Sequence, residues 1–273
     1  MAKKYVPKEP RSKGVKKKKA TRRRSAPASP FKTRKAGEAL AAADPLVHVY
    51  GKAQTCDTNS RGFATAENRS PAELVLDASE GFIPLWSNNV TLRWRFNEDS
   101  MRYFQNISAA KQALRQLLGE AILAWGKAAP VKFREAQDAW DFEVVMRNSD
   151  KCSINGCTLA SAFFPDPGRH ELVLYPKMLS QDRKEQIDTF IHEIGHIFGL
   201  RHFFANVSER AWPSVIFGSH KPFGIMNYGH NSELTDDDKS DLSVLYRKVW
   251  NNELAEINGT RIVFVEPYHQ LGQ

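Results

Sequence analysis

Residues 192–202 read His-Glu-Ile-Gly-His-Ile-Phe-Gly-Leu-Arg-His, and this run does most to decide the fold of the chain. Apolar side chains recur at positions 187, 190, 191, 194, 197 and 198, the spacing of one buried helical face. Ser180 is expected to be the N-cap of this helix. On such a helix His192 and His196 lie one turn apart and project in the same direction. Gly199 can adopt a positive φ, so it predicts a helix end and a turn that brings His202 back.

This spacing predicts a metal site with His192, His196 and His202 as ligands. Three neutral imidazoles leave one tetrahedral position for water, which is typical of a catalytic rather than a structural zinc. Glu193 suits a general base, because zinc lowers the pKa of bound water to roughly 7 and a neighbouring carboxylate can accept the proton. The alternative is a buried amphipathic helix, but burying these polar side chains without a partner would be costly.

The full pattern H-E-x-x-H-x-x-G-x-x-H, together with the segment Phe-Gly-Ile-Met-Asn-Tyr-Gly at 223–229, resembles the metzincin clan of zinc proteases. In that clan a methionine at the position of Met226 forms an apolar floor under the three histidines. Tyr228 stands where astacins and serralysins carry a tyrosine that binds the metal or stabilises the oxyanion. The resemblance implies a zinc endopeptidase with one catalytic Zn²⁺ and with Glu193 and Tyr228 as catalytic residues. Core filling is the alternative for Met226 and Tyr228.

Residues from about 85 to 250 also follow the element order of a matrixin-like catalytic domain. Alternation predicts strands at 90–96, 141–146 and 170–175, and helical spacing predicts a helix over 107–126. Thr235 and the three acids after it predict the start of another helix, while 259–265 reads as a late strand. We expect an α+β zincin-like fold, with a twisted mixed sheet, an active-site helix and a small C-terminal lobe.

The segment from Leu159 through Ala160 and Ser161 to Ala162 resembles the edge strand that matrixins lay beside their substrate. An extended peptide or protein segment would pair antiparallel with this edge; an ordinary edge strand is the alternative. Matrixins carry a histidine at the position of Ser161 that helps to bind a second zinc, so we expect one zinc only. The residue after the third histidine, Phe203, differs from the serine of matrixins, so the clan is better supported than the family.

The N-terminus has a different composition. Residues 1–35 hold 15 Lys or Arg and one acid, a net charge of +14 in a chain whose total is +8. Such a segment cannot bury enough apolar surface to order itself, so we expect a basic disordered tail over residues 1–45. It could bind nucleic acid or another polyanion, or act as a solubilising arm. The rival function is a polyanion-binding protein whose zincin domain is a passive scaffold, or a protease that the tail localises.

A connecting or pro-like segment is expected over 46–80, followed by the catalytic domain over 81–273. Cys56 in that segment could ligate the catalytic zinc and confer latency, as in matrixin zymogens, or be an ordinary thiol. Cys152 and Cys157 flank a turn-like loop and could form a disulfide or remain free thiols.

The first 45 residues contain no apolar core of the kind that a secretory signal needs. No run of about 18 apolar residues exists to cross a membrane. We therefore expect either a cytoplasmic protein or one exported by a route without an N-terminal apolar signal.

Overall fold

The computed structural model describes residues 29–33, 38–40, 48–50, 54–56, 74–78, 81–153, 156–202, 214–217, 224–226 and 232–271. The strands within these ranges are β1 (Glu38–Leu40), β2 (His48–Tyr50), β3 (Gln54–Cys56), β4 (Leu74–Asp77), β5 (Ile83–Trp86), β6 (Thr91–Phe96), β7 (Lys132–Glu135), β8 (Phe142–Met146), β9 (Asp150–Ser153), β10 (Gly156–Ser161), β11 (His170–Leu174), β12 (Leu200–Arg201), β13 (Ser214–Phe217), β14 (Glu256–Ile257) and β15 (Thr260–Val265). The helices are α1 (Glu98–Met101), α2 (Ile107–Trp125), α3 (Pro176–Leu179), α4 (Arg183–Ile197) and α5 (Asp236–Trp250).

The main sheet is twisted and mixed, which confirms the predicted α+β class. Strands β7, β6, β8 and β11 lie side by side in parallel, and β10 pairs antiparallel with β11. Helices α2 and α4 pack against each other, and Trp125 at the end of α2 donates its indole N–H to the carbonyl of Ile191 in α4. The helix that carries the predicted ligands is thereby fixed to a neighbouring helix.

The elements with a clear period were predicted correctly, and one helix cap was not. Helices α2, α4 and α5 and strands β6, β8, β11 and β15 lie where the sequence predicts them. Thr235 caps α5 through a reciprocal capping box with Asp238. Ser180 had been predicted to cap the active-site helix, but Asp182 accepts the N–H of Glu185 there and is the N-cap. Ser180 instead ends α3, a one-turn helix that periodicity does not reveal.

Parts of the N-terminal region contact the domain. Strand β4 lies between β12 and β13, and Leu76 is fully buried. Strand β1 pairs with β9, and Phe31 packs its ring against Phe104 at a centroid distance of 6.2 Å. These residues fall within the segments predicted as a disordered tail and a connecting segment. Most of residues 1–80 lie outside the described residues, so the bounds of the tail and of the connecting segment stay predictions.

The C-terminal region returns to β5. Strands β14 and β15 form a hairpin, and β15 pairs in parallel with β5. Trp250, at the end of α5, donates its indole N–H to the carbonyl of Trp86 in β5. Among the residues that the structure describes, no helix has the length and apolar character needed to cross a membrane.

Candidate active site

Helix α4 presents the predicted metal ligands from a fully enclosed position. His192, Glu193 and His196 are all buried, with Phe190 and Ile194 buried on the same helix. Two indole groups donate to carbonyls of this helix: Trp125 to Ile191 at 3.1 Å and Trp86 to Ile197 at 2.6 Å. The helix is thus anchored on both sides of the histidine pair.

The three histidines converge through their Nε2 atoms. His192 Nε2 lies 2.9 Å from His202 Nε2 and 3.1 Å from His196 Nε2. The Nδ1 atoms of His192 and His196 lie 2.9 and 2.7 Å from the carbonyls of Ile225 and Leu200. Since a carbonyl can only accept, both Nδ1 atoms carry the proton and both Nε2 atoms present lone pairs.

This nitrogen triangle fits a tetrahedral zinc. Zn–N distances of about 2.0–2.1 Å place ligand nitrogens about 3.3 Å apart, close to the observed spacing. Carbonyl acceptors behind ligand histidines fix the ring orientation and tautomer that metal binding requires. In the part of the chain that the structure describes, these three histidines are the one group whose ligand atoms could hold a metal ion together.

The turn after α4 brings the third histidine into place. Gly199 has a φ of 91°, as the sequence predicts, and its peptide N–H donates to the carbonyl of His196. Strand β12 then pairs Leu200 and Arg201 with β4, and His202 follows directly. A Cβ atom at Gly199 would lie 3.3 Å from Leu85 in β5. The ligand-bearing turn therefore rests against β5, an edge strand of the three-stranded sheet that also contains β15 and β14.

Met226 lies against the active-site helix. A Cβ atom built at Gly195 would fall 2.5 Å from Met226 Sδ, so only glycine at this position permits the contact. Met226 is buried, and its neighbour Ile225 supplies the carbonyl behind His192. The role of Gly195 was not identified from the sequence, because the residues of this contact are separated by about 30 positions.

Asp238 supports the same turn from helix α5. Its Oδ2 accepts the N–H of Thr235 at 2.8 Å and lies 3.4 Å from the N–H of Ile225. Asp238 therefore links the cap of α5 to Ile225, the residue whose carbonyl orients His192. Burial raises the pKa of the Asp238 carboxyl above its ordinary value of 3.8, against hydrogen bonds that act in the opposite direction.

We expect Asp238→Ala to lower the free energy of unfolding by about 1–2 kcal/mol, because it removes a capping partner and the acceptor for Ile225. Asp238→Asn keeps an acceptor oxygen, and Asp236→Ala serves as control because that side chain is fully exposed. The raised pKa also fixes the direction of the pH dependence. Because the folded state binds more protons than the unfolded state, the contribution of Asp238 to the free energy of unfolding falls as pH rises above 3.8. Urea unfolding of metal-free wild type and metal-free Asp238→Asn measures it: the stability of wild type relative to Asp238→Asn should fall as pH rises above 3.8, since the titration of all other groups cancels in the difference.

The loop after β10 lies beside the histidines. Phe164 approaches His196 edge-on at a ring distance of 5.5 Å, and the guanidinium of Arg201 lies 5.7 Å from the Phe164 ring centre. His170, the first residue of β11, contacts the Asp166 carboxylate at 3.0 Å. That hydrogen bond lowers the pKa of the Asp166 carboxyl.

Strand β10 contains Leu159, Ala160 and Ser161, the start of the predicted substrate edge, and Ala162 follows it. Ala160 pairs with Leu174 of β11 on one side and with Cys56 of β3 on the other. The side of the strand opposite β11 is therefore covered by a strand from the N-terminal region. Cys152 and Cys157 form a disulfide across the β9–β10 hairpin, which decides between the two alternatives.

Other predicted residues lie outside the described residues. They are Tyr228, Phe203 and the basic residues 1–28, and the side chain of Cys56 is not described either. A catalytic role for Tyr228, latency through Cys56 and polyanion binding by the tail stay predictions.

Residues 85–247, more than half of the chain, match the Matrixin family. The chain belongs to this family. The match confirms the resemblance to metzincin zinc proteases, and as a matrixin the protein is a zinc metalloendopeptidase whose substrates are peptides or proteins. Phe203 is thus a departure within the family rather than a sign of another one.

Solved structures also match, with low identity. Myroilysin aligns at 15% identity and a TM-score of 0.43, covering 63% of this chain and 98% of its own. High choriolytic enzyme 1, a hatching enzyme zinc-protease from the medaka fish Oryzias latipes, aligns at 15% identity and a TM-score of 0.35, covering 67% and 98%. No curated protein matches the chain.

Proposed function

We propose that this matrixin hydrolyses internal peptide bonds with His192, His196 and His202 as the ligands of one catalytic zinc and with Glu193 as the general base. The observation that carries the proposal is the convergence of three Nε2 atoms: that of His192 lies 2.9 Å and 3.1 Å from the other two, close to the distance between two nitrogen ligands of a tetrahedral zinc. Glu193 follows the first ligand on the same buried helix.

Zinc bound at the three imidazoles would polarise the scissile carbonyl and acidify the attacking water. Glu193 accepts the proton of that water and donates it to the leaving amine. The carbonyls of Ile225 and Leu200 hold His192 and His196 in the required tautomer. Burial of the site keeps competing water away and strengthens each electrostatic interaction.

We propose further that substrate pairs with the outer edge of β10, antiparallel to residues 159–162, and that β3 occupies this edge beforehand. Strand β3 runs parallel to β10, with Thr55 opposite Thr158 and Cys56 opposite Ala160. A peptide that pairs with the same backbone groups and β3 exclude each other. The segment that contains β3 is then an inhibitory pro-segment.

Deletion of residues 1–57 is expected to lower the KM for a peptide substrate by about tenfold or more, because substrate no longer competes with a tethered strand at millimolar effective concentration. Deletion of residues 1–28 is the matched control, since it leaves β3 in place and should not change KM. Cys56→Ser separates the two forms of latency: activation by this substitution alone would assign inhibition to the thiol and contradict inhibition by strand pairing. Steady-state kinetics on a quenched fluorescent peptide measures all three.

The proposed function is tested by metal content and cleavage together. The protein without residues 1–57 should bind about one equivalent of zinc and cleave a denatured protein mixture at internal bonds, which mass spectrometry identifies. Protein that binds one zinc and leaves every protein in the mixture intact would show that the metal site has no peptidase function.

A further inference from the structure

Residues 251–271 lie beyond the part of the chain that matches the Matrixin family, yet they pack against its catalytic domain. After β15, a short turn over Tyr268–Gln270 closes the described chain. His269 in this turn is buried, with 5% of its side chain exposed. A buried histidine in a terminal turn indicates that the turn is held by specific contacts.

The first contact is with Asp141, whose side chain is only 2% exposed. Its carboxylate accepts three described N–H groups: the peptide N–H of Arg93 at 2.6 Å, the peptide N–H of His269 at 2.9 Å, and Nδ1–H of His269 at 2.9 Å. The carbonyl of Asp141 accepts the peptide N–H of His170. His269 thus completes the hydrogen bonding of a buried carboxylate at the point where β8 and β11 begin.

The second contact is a stack of rings and guanidinium planes. The guanidinium of Arg169 lies 4.5 Å from the ring centre of Trp140 and 4.4 Å from that of Tyr268. Arg169 directly precedes His170, the first residue of β11. Both contacts of the terminal turn therefore lie at the same place, the point where the loop over residues 162–169 ends and β11 begins.

The other end of this loop reaches the metal site. Phe163 stacks on His170 with ring centres 4.4 Å apart and an interplanar angle of 9°. Phe164 packs edge-on against the ligand His196, and Pro165 lies 3.5 Å from a Cβ atom built at Gly199. The loop contains two prolines, and the peptide N–H of Gly168 donates to the Asp166 carboxylate within it. It therefore has little freedom to absorb a displacement at its end.

We propose that the terminal turn is a brace for the active site, in which His269 and Tyr268 are positioning residues. They hold the loop over residues 162–169 so that Phe164 keeps His196 oriented for the metal and β10 stays aligned for substrate. The inference rests on the proposed function of the three histidines. It assigns a role to a segment that lies outside the family's shared part of the chain.

His269→Ala is expected to raise the dissociation constant for zinc by about tenfold, the lower end for residues that orient metal ligands. KM for a peptide should rise as well, with a smaller change in kcat. His269→Asn can donate an amide N–H in place of Nδ1–H and should restore both values to within about twofold of wild type. Leu271→Ala is the control, because this neighbouring side chain is 57% exposed. Zinc affinity is measured by chelator competition, without any reference to activity.

An altered melting temperature with unchanged zinc affinity and KM would make the turn a stability element only and overturn the proposal. If His269→Ala does not fold, Tyr268→Leu tests the same brace. This substitution, at an exposed residue, removes the aromatic ring that stacks on the Arg169 guanidinium, and the leucine side chain still provides an apolar cover. Unchanged zinc affinity in that variant would equally contradict the brace. Failure of the proposed function is distinct, because wild type would then bind zinc without cleaving peptides.

Discussion

Replacement of Glu193 by glutamine is expected to lower kcat/KM for a peptide substrate by about 10⁴-fold, the upper end of what a positioned general base contributes. Glu193 is buried beside His192, so no bulk water or buffer base can take over its role readily. Glutamine keeps the volume and one acceptor oxygen but cannot accept a proton. The zinc dissociation constant should stay within about threefold of wild type, since Glu193 is not among the converging ligands.

The loss of kcat/KM should be specific to the Glu193 carboxylate. Glu185→Gln changes a glutamate of the same helix, two turns earlier, and should leave kcat/KM within about twofold of wild type. Glu193→Ala adds a cavity to the same chemical loss and should be no more active than Glu193→Gln. A Glu193→Gln enzyme that keeps more than a tenth of wild-type kcat/KM would rule out the assigned role of Glu193.

Trp86→Ala should lower the free energy of unfolding by about 4 kcal/mol, the range for a large aromatic residue removed from a core. Trp86 is almost fully buried and joins three parts of the chain. Its indole N–H donates to Ile197 at the end of α4, its carbonyl accepts from Trp250, and its strand pairs with β15. Urea unfolding of the metal-loaded protein measures the change.

Trp86→Phe keeps a buried aromatic ring, although a smaller one, and removes the indole N–H. It should cost about 1–3 kcal/mol, because a buried carbonyl of Ile197 loses its indole donor. Leu123→Ala, at a side chain that is 77% exposed, should change stability by less than about 0.5 kcal/mol. Equal stability of wild type and Trp86→Phe would show that the bond to Ile197 makes no net contribution.

The sequence predicts those elements that carry their own periodic signal. Helix α2 and strand β6 show one apolar face each, so local pattern and tertiary burial agree. Strand β5 was not predicted, because all four of its residues, Ile83–Trp86, are buried and leave no alternation. Its partner β15 is remote in sequence, so nothing local specifies the pairing.

The residues of the candidate active site divide in the same way, into those with a local sequence pattern and those that depend on remote contacts. His192, His196 and His202 could be predicted because their spacing on one helix and turn is itself the chemical requirement. Gly195, Trp86 and Asp238 act through contacts with distant residues, and a single sequence contains no record of such contacts. The pairing of strand β3 with β10, at the proposed substrate edge, was unpredictable for that reason too, although the segment around Cys56 was expected to be pro-like.

The pairing of β15 with β5 has a consequence for how the domain is made. Ile83 is opposite Ile262, about 180 positions later, so the pairing closes a very long loop and contributes to a high contact order. The ribosome must synthesise almost the whole catalytic domain before β5 finds this partner. Leu85 in β5 supports the turn at Gly199 that carries His202. The metal-binding turn is thus packed on a strand whose own pairing depends on residues at the far end of the domain.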